Sequence, residues 1–194
     1  MPLMRLVTAD DVCQALEATL RTTVPLVVTA MEWTEDLKAV ESWDQVPTAE
    51  ALSAANLPAG TIESPGLTGP PVRNEDGGVD VVWRVVAGMY DRGDDYDETA
   101  ANIRKWAAAI RAAAMSDVTL GGVVDGLSWV GEDYARRPER NVARTLAGCA
   151  VAFDVTVLNV VELPVPAAPG SGEQNPIVTS THRSITVRTQ GSSA

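Results

Sequence analysis

The densest chemistry in the chain is a run of acids at residues 91–98, Asp91-Arg92-Gly93-Asp94-Asp95-Tyr96-Asp97-Glu98, with five carboxylates in eight positions. Hard cations take oxygen ligands, so Asp91, Asp94, Asp95 and Asp97 invite a reading as a divalent-cation site. Their spacing departs from that of an EF-hand loop, whose acidic ligands alternate ahead of a glycine. A simpler reading is electrostatic: acids at the start of a helix meet its unpaired backbone N–H groups and the positive end of its dipole. A second cluster, Arg136, Arg137, Arg140 and Arg144, gathers positive charge around the single acid Glu139. It reads either as a solvated loop or as a contact to an acidic surface, such as residues 91–98, on a neighbouring copy. The second arrangement is a heterologous pairing, and such pairings can close a ring.

Other reactive types are sparse. The only histidine is His182, and the two cysteines, Cys13 and Cys149, have neither metal-ligand spacing nor a disulfide pattern. No serine lies in GxSxG, and the glycines form neither GxGxxG after a strand nor a phosphate-binding loop. Asp80 and Asp154 stay open as a carboxylate pair, since acid–base work depends on a separation that a sequence does not supply. No catalytic, metal or cofactor-binding set is assigned, and the chain reads as a non-enzyme that works through its surfaces. With 26 acidic and 15 basic residues, net −11, it opposes general affinity for nucleic-acid backbones. No stretch suggests a signal peptide or a membrane span, so synthesis in the cytoplasm is expected.

The elements that must hold these residues follow from periodicity. Thr8 and Asp11 cap a helix carrying Val12, Leu16, Leu20 and Val24, and Pro25 is expected to kink or restart it before Val28, Met31 and Trp33. Residues 32–58 read as short turns and loop. A short strand is expected at residues 59–64, then a turn-rich connection. In residues 79–90 the odd positions Val79, Val81, Trp83, Val85, Ala87 and Met89 are apolar, the alternation of a half-buried strand. Asp97 is expected to cap a helix with Ile103, Trp106, Ala107, Ile110 and Ala114 on one stripe. After Gly121-Gly122, Val123, Leu127 and Trp129 alternate along a strand. Val151, Phe153, Val155, Val157 and Val161 line another, antiparallel to it. The fold class is α/β of the α+β kind, a mainly antiparallel sheet with helices on one face. Residues 1–163 form the domain; the Pro-rich stretch 164–176 then leads to residues 177–189, rich enough in β-branched types to add a strand.

Several phrases together resemble the tail terminator proteins of long-tailed phages of actinobacteria. They are the capped first helix ending near Thr23-Val24-Pro25, Ile62-Glu63-Ser64-Pro65-Gly66, the strand ending in Asp91-Arg92-Gly93, Leu120-Gly121-Gly122-Val123-Val124, Trp129-Val130-Gly131-Glu132-Asp133-Tyr134 and the last strand. The likeness spans residues 8–162. It implies a subunit of a homo-oligomeric ring, a hexamer, at the head-proximal end of the tail in the virion. The ring stops polymerisation of the major tail tube protein and receives the head–tail connector, while DNA passes through its pore without specific binding. No cofactor and no membrane enter that role. A head-completion protein of the neck fits the same phrases. A small-ligand-binding protein or hydrolase built on residues 91–98 and a cation is the alternative from another class.

Overall fold

The computed structural model describes residues 6–40, 42–44, 57–74, 78–138 and 145–160. The first helix, α1 (Ala9–Ala30), starts at a capping box: the Asp11 N–H donates to Thr8 Oγ1 (3.2 Å), and the Thr8 N–H donates to Asp11 Oδ2 (2.7 Å). Its buried stripe runs Val12, Leu16, Leu20, Val24 and Val28. Pro25 lies inside the helix without dividing it. The missing donor costs one backbone bond, and the burial of Val24 and Val28 on either side outweighs it. Met31, expected on the stripe, is instead the C-cap and 52% exposed.

The Thr8 hydroxyl and backbone N–H, both donating to the Asp11 carboxylate, hold its pKa below the ordinary value of 3.8. A carboxyl depressed by folding adds stability above its unfolded pKa and loses it as pH falls through the folded value. Thr8→Ala is therefore expected to cost about 1 kcal/mol at neutral pH. Its penalty should shrink once acid protonates Asp11, as urea melts at the two pH values would show.

Six strands form one mixed sheet. They are β1 (Ser42–Asp44), β2 (Ala59–Leu67), β3 (Val72–Arg73), β4 (Val79–Gly93), β5 (Gly126–Pro138) and β6 (Thr145–Val157). The order is β1-β2-β4-β6-β5, with β3 beside the start of β4; β1 pairs parallel to β2, and every other pairing is antiparallel. Helix α2 (Tyr96–Ser116) lies against β4, β5 and β6, and α1 packs against β2 and α2. The odd residues of β4 and β6 face the helices: Val85, Ala87, Met89, Val151, Phe153 and Val155 are fully buried. Five alanines of α2 are buried as well, and their small side chains let the helix sit close to the sheet.

Several boundaries differ from the sequence reading. β2 runs on to Leu67, bending where its register against β4 shifts between Glu63 and Gly66. Within residues 32–58, Ser42–Asp44 is a strand rather than loop. Helix α2 is capped by Asp95, whose Oδ1 accepts the Glu98 N–H at 2.8 Å, so Asp97 falls in the first turn. Val123 belongs to the turn after α2, not to a strand: the Asp117 carboxylate accepts from the N–H groups of Thr119 and Gly121, and Leu120, Gly121 and Gly122 take positive φ. β6 starts at Thr145, earlier than its valines suggested, because Ala147 and Cys149 are small residues that also bury. Val161 and the segment 164–194 with its expected strand lie outside the described residues.

Candidate assembly surface

The acidic run is built into the fold as structure. Asp91, near the end of β4, accepts the Trp106 indole N–H at Oδ2 (3.2 Å) and the Arg92 N–H at Oδ1 (2.8 Å). Asp95 caps α2. Asp94 and Asp97 are exposed beside them. Among the described residues no group of three or more His, Cys, Asp or Glu side chains is placed to hold a metal ion. Nor do Asp80 and Asp154 meet: Asp154 pairs with Arg84 (2.6 Å), while Asp80 accepts from the Asn159 N–H (2.9 Å) and the Asn74 amide (3.3 Å). Arg84 stands opposite Asp154, four residues along β4 from Asp80, about 13 Å at strand rise.

Arg136 and Arg137 are strand residues of β5, not loop residues; Arg140 and Arg144 lie outside the described residues. The register sets Arg136 opposite Ala147 and Ala147 opposite Asp91. The basic end of β5 and the acidic end of β4 therefore share one end of the sheet, two strands or about 10 Å apart.

A surface that sequence reasoning did not assemble lies where α2 meets β5. Arg111 of α2 places its guanidinium 4.8 Å from the centre of the Trp129 ring, and its Nη1 donates to Glu132 Oε1 at 2.5 Å. The Tyr134 hydroxyl donates to the other oxygen of Glu132. Partial burial and then that carboxylate push the Tyr134 phenol up to about 12, so it remains a donor at physiological pH. Trp129, which alternates along the strand with Leu127, is 47% exposed, and Tyr134 is 39% exposed.

A bulge puts these side chains together. Leu127 and Trp129 stand opposite the buried Val155 and Phe153; the register then shifts at Val130, and Glu132 and Tyr134 stand opposite the buried Val151 and Cys149. One extra residue moves the helix-facing positions from odd to even numbers. Strict alternation cannot see such a switch, and the only signal was the short phrase from Trp129 to Tyr134. Cys149 and Cys13 are buried thiols, and desolvation pushes them to about 12 and about 11. Among the described residues no helix is long and apolar enough to cross a membrane.

No family model and no curated protein matches the chain. Among solved structures it is similar to a chain of the virion of native gene transfer agent (GTA) particle. The two are 15% identical with a TM-score of 0.33, over 74% of this chain and 98% of that one. At that level the likeness assigns no role.

Proposed function

We propose that this protein is a structural component of a tailed-phage virion, a tail terminator that caps the head-proximal end of the tail tube and offers the face on which the head connector docks. The observation that carries the reading is the surface formed by Trp129, Arg111, Glu132 and Tyr134, which is exposed yet fixed by its own stacking and hydrogen bonds. Trp, Tyr and Arg are the side chains that dominate protein interfaces, and a group already ordered in the free protein loses little entropy on binding. The short phrases that resemble those of tail terminators include this stretch.

Capping then follows from shape. One face engages the last ring of the tube; the other presents different residues, so the next tube subunit finds no template. Six copies around the tube axis would close the ring. The net charge of −11 suits a pore that must release DNA, because carboxylates repel phosphates.

Purified protein mixed with tail tubes should form rings at one tube end and stop further extension, as electron microscopy would show. Trp129→Ala should weaken tube binding by about 30-fold while the fold is kept. A head-completion protein would instead bind filled heads and leave tubes uncapped. Protein that stays monomeric at high concentration and ignores tubes would remove the basis of the reading.

A further inference from the structure

Residues 132–137 read Glu-Asp-Tyr-Ala-Arg-Arg: two acids, two uncharged residues, two bases. Run antiparallel against itself, this string sets acids opposite bases. It also lies on the outermost strand. β5 has β6 on one side and, among the described residues, no strand on the other. The opposite side of the sheet is blunted, since β1 is three residues long and β2 carries Pro65 and a register shift. β5 has its own register shift between Trp129 and Gly131 and ends at Pro138, but the seven residues 131–137 between them are regularly paired, and a regular edge of that length is a template for another strand. From this asymmetry and this charge order we propose that β5 pairs with β5 of a second copy of the chain, about a two-fold axis at Ala135.

Geometry restricts the choices. A two-fold axis perpendicular to the sheet keeps the helix-covered faces on the same side, so each residue stands opposite one of its own face. The axis then passes through a residue, which faces itself. An axis at Asp133 sets aspartate opposite aspartate, and one at Arg136 sets arginine opposite arginine in the register; like charges directly opposite are destabilising. Two registers remain. An axis at Tyr134 sets Glu132 opposite Arg136 of the second copy, but Glu132 is already held by Arg111 and Tyr134. An axis at Ala135 sets Asp133 opposite Arg137 and Tyr134 opposite Arg136, each twice. Asp133, Tyr134 and Ala135 are all exposed, Asp133 engaging the adjacent Tyr134 N–H at 2.8 Å. Only the small Ala135 then meets its own copy. The contact uses the end of β5 away from Trp129; a two-fold axis cannot relate neighbours of a ring on a polar tube, so the pair is a form of the protein off the tube, and it forms or fails whether or not the protein caps one.

The test uses the full chain. Ala135→Cys under mild oxidation should give a disulfide-linked dimer on a non-reducing gel, because the axis places the two Cα atoms within bridging reach. The native thiols Cys13 and Cys149 are buried and stay reduced. Asp133→Arg and Arg137→Asp should each weaken self-association measured by sedimentation by about tenfold or more. The double variant D133R/R137D, and an equimolar mixture of the two single variants, should regain it, since each restores opposite charges across the axis. Added salt to about 0.5 M should weaken the wild-type pair. The proposal is overturned if A135C stays reduced, or if the swapped double variant associates no better than the single ones. Uncrosslinked protein that pairs in this way but never forms rings or binds tubes would sink the terminator reading and leave this contact standing.

Discussion

Replacing Trp106 by alanine should destabilise the protein by about 3–5 kcal/mol, the largest loss expected from any single truncation here. Among the described residues Trp106 is the largest fully buried side chain, 1% exposed, on the stripe that α2 lays across the sheet. Its removal enlarges the hollow that the ring lines together with Val24, Val28, Leu37 and Trp43. It also strips the indole donor from the Asp91 carboxylate at the end of β4. A half-buried carboxylate that loses a partner adds its own penalty to the cavity. Trp106→Phe separates the two contributions, since it keeps most of the apolar volume and removes only the N–H. It should cost about 1–2 kcal/mol. Urea melts followed by circular dichroism would measure both. A loss below about 1 kcal/mol for the alanine variant would mean that α2 is not anchored through this ring. The consequence reaches the assembly surface, because Arg111 is carried on the same helix. Loosening α2 should broaden the Arg111–Trp129 contact and, under the proposed function, weaken tube binding without touching an exposed residue.

How much of this was legible in the sequence depends on how many residues carried each signal. The stripe of α2 repeats through Ile103, Trp106, Ala107, Ile110 and Ala114, and all five are buried. The odd positions of β4 likewise announced its helix-facing side. Both signals sum over many residues, so one exception does not erase them. Where a single residue decides, the pattern was blind. Asp95 and Asp97 are equally good capping types, and only the backbone turning at Asp95 into an extended conformation chooses between them. The bulge at Val130 is one residue long, yet it decides that Glu132 and Tyr134 face Arg111. The acidic run was legible as charge at a helix start. Its further role, receiving the Trp106 indole, depends on a contact fifteen residues away that local spacing does not encode.

The strand β1 is the sharpest case of a feature hidden from periodicity, and it supports the second large effect. Three residues show no alternation, yet Trp43 is buried at 6% exposure, and its carbonyl accepts from Arg21 of α1 at 3.1 Å. Trp43 stands opposite Gly60 of β2, and a Cβ on Gly60 would lie 2.3 Å from Trp43 Cε3. That approach is far inside van der Waals contact, and a ring pinned in the core cannot step aside as a flexible chain end would. Gly60→Ala should therefore cost about 2–3 kcal/mol, although alanine suits a strand better than glycine does. Trp43→Val alone should cost about 3 kcal/mol through its cavity. Combined, the two changes should cost at least about 1 kcal/mol less than their sum, because the smaller side chain gives the new methyl its space. Strict additivity in the double-mutant cycle would show that the glycine is not there to seat the indole. A coupling of the expected sign would identify Gly60 as the residue that lets a three-residue strand pair on this side of the sheet.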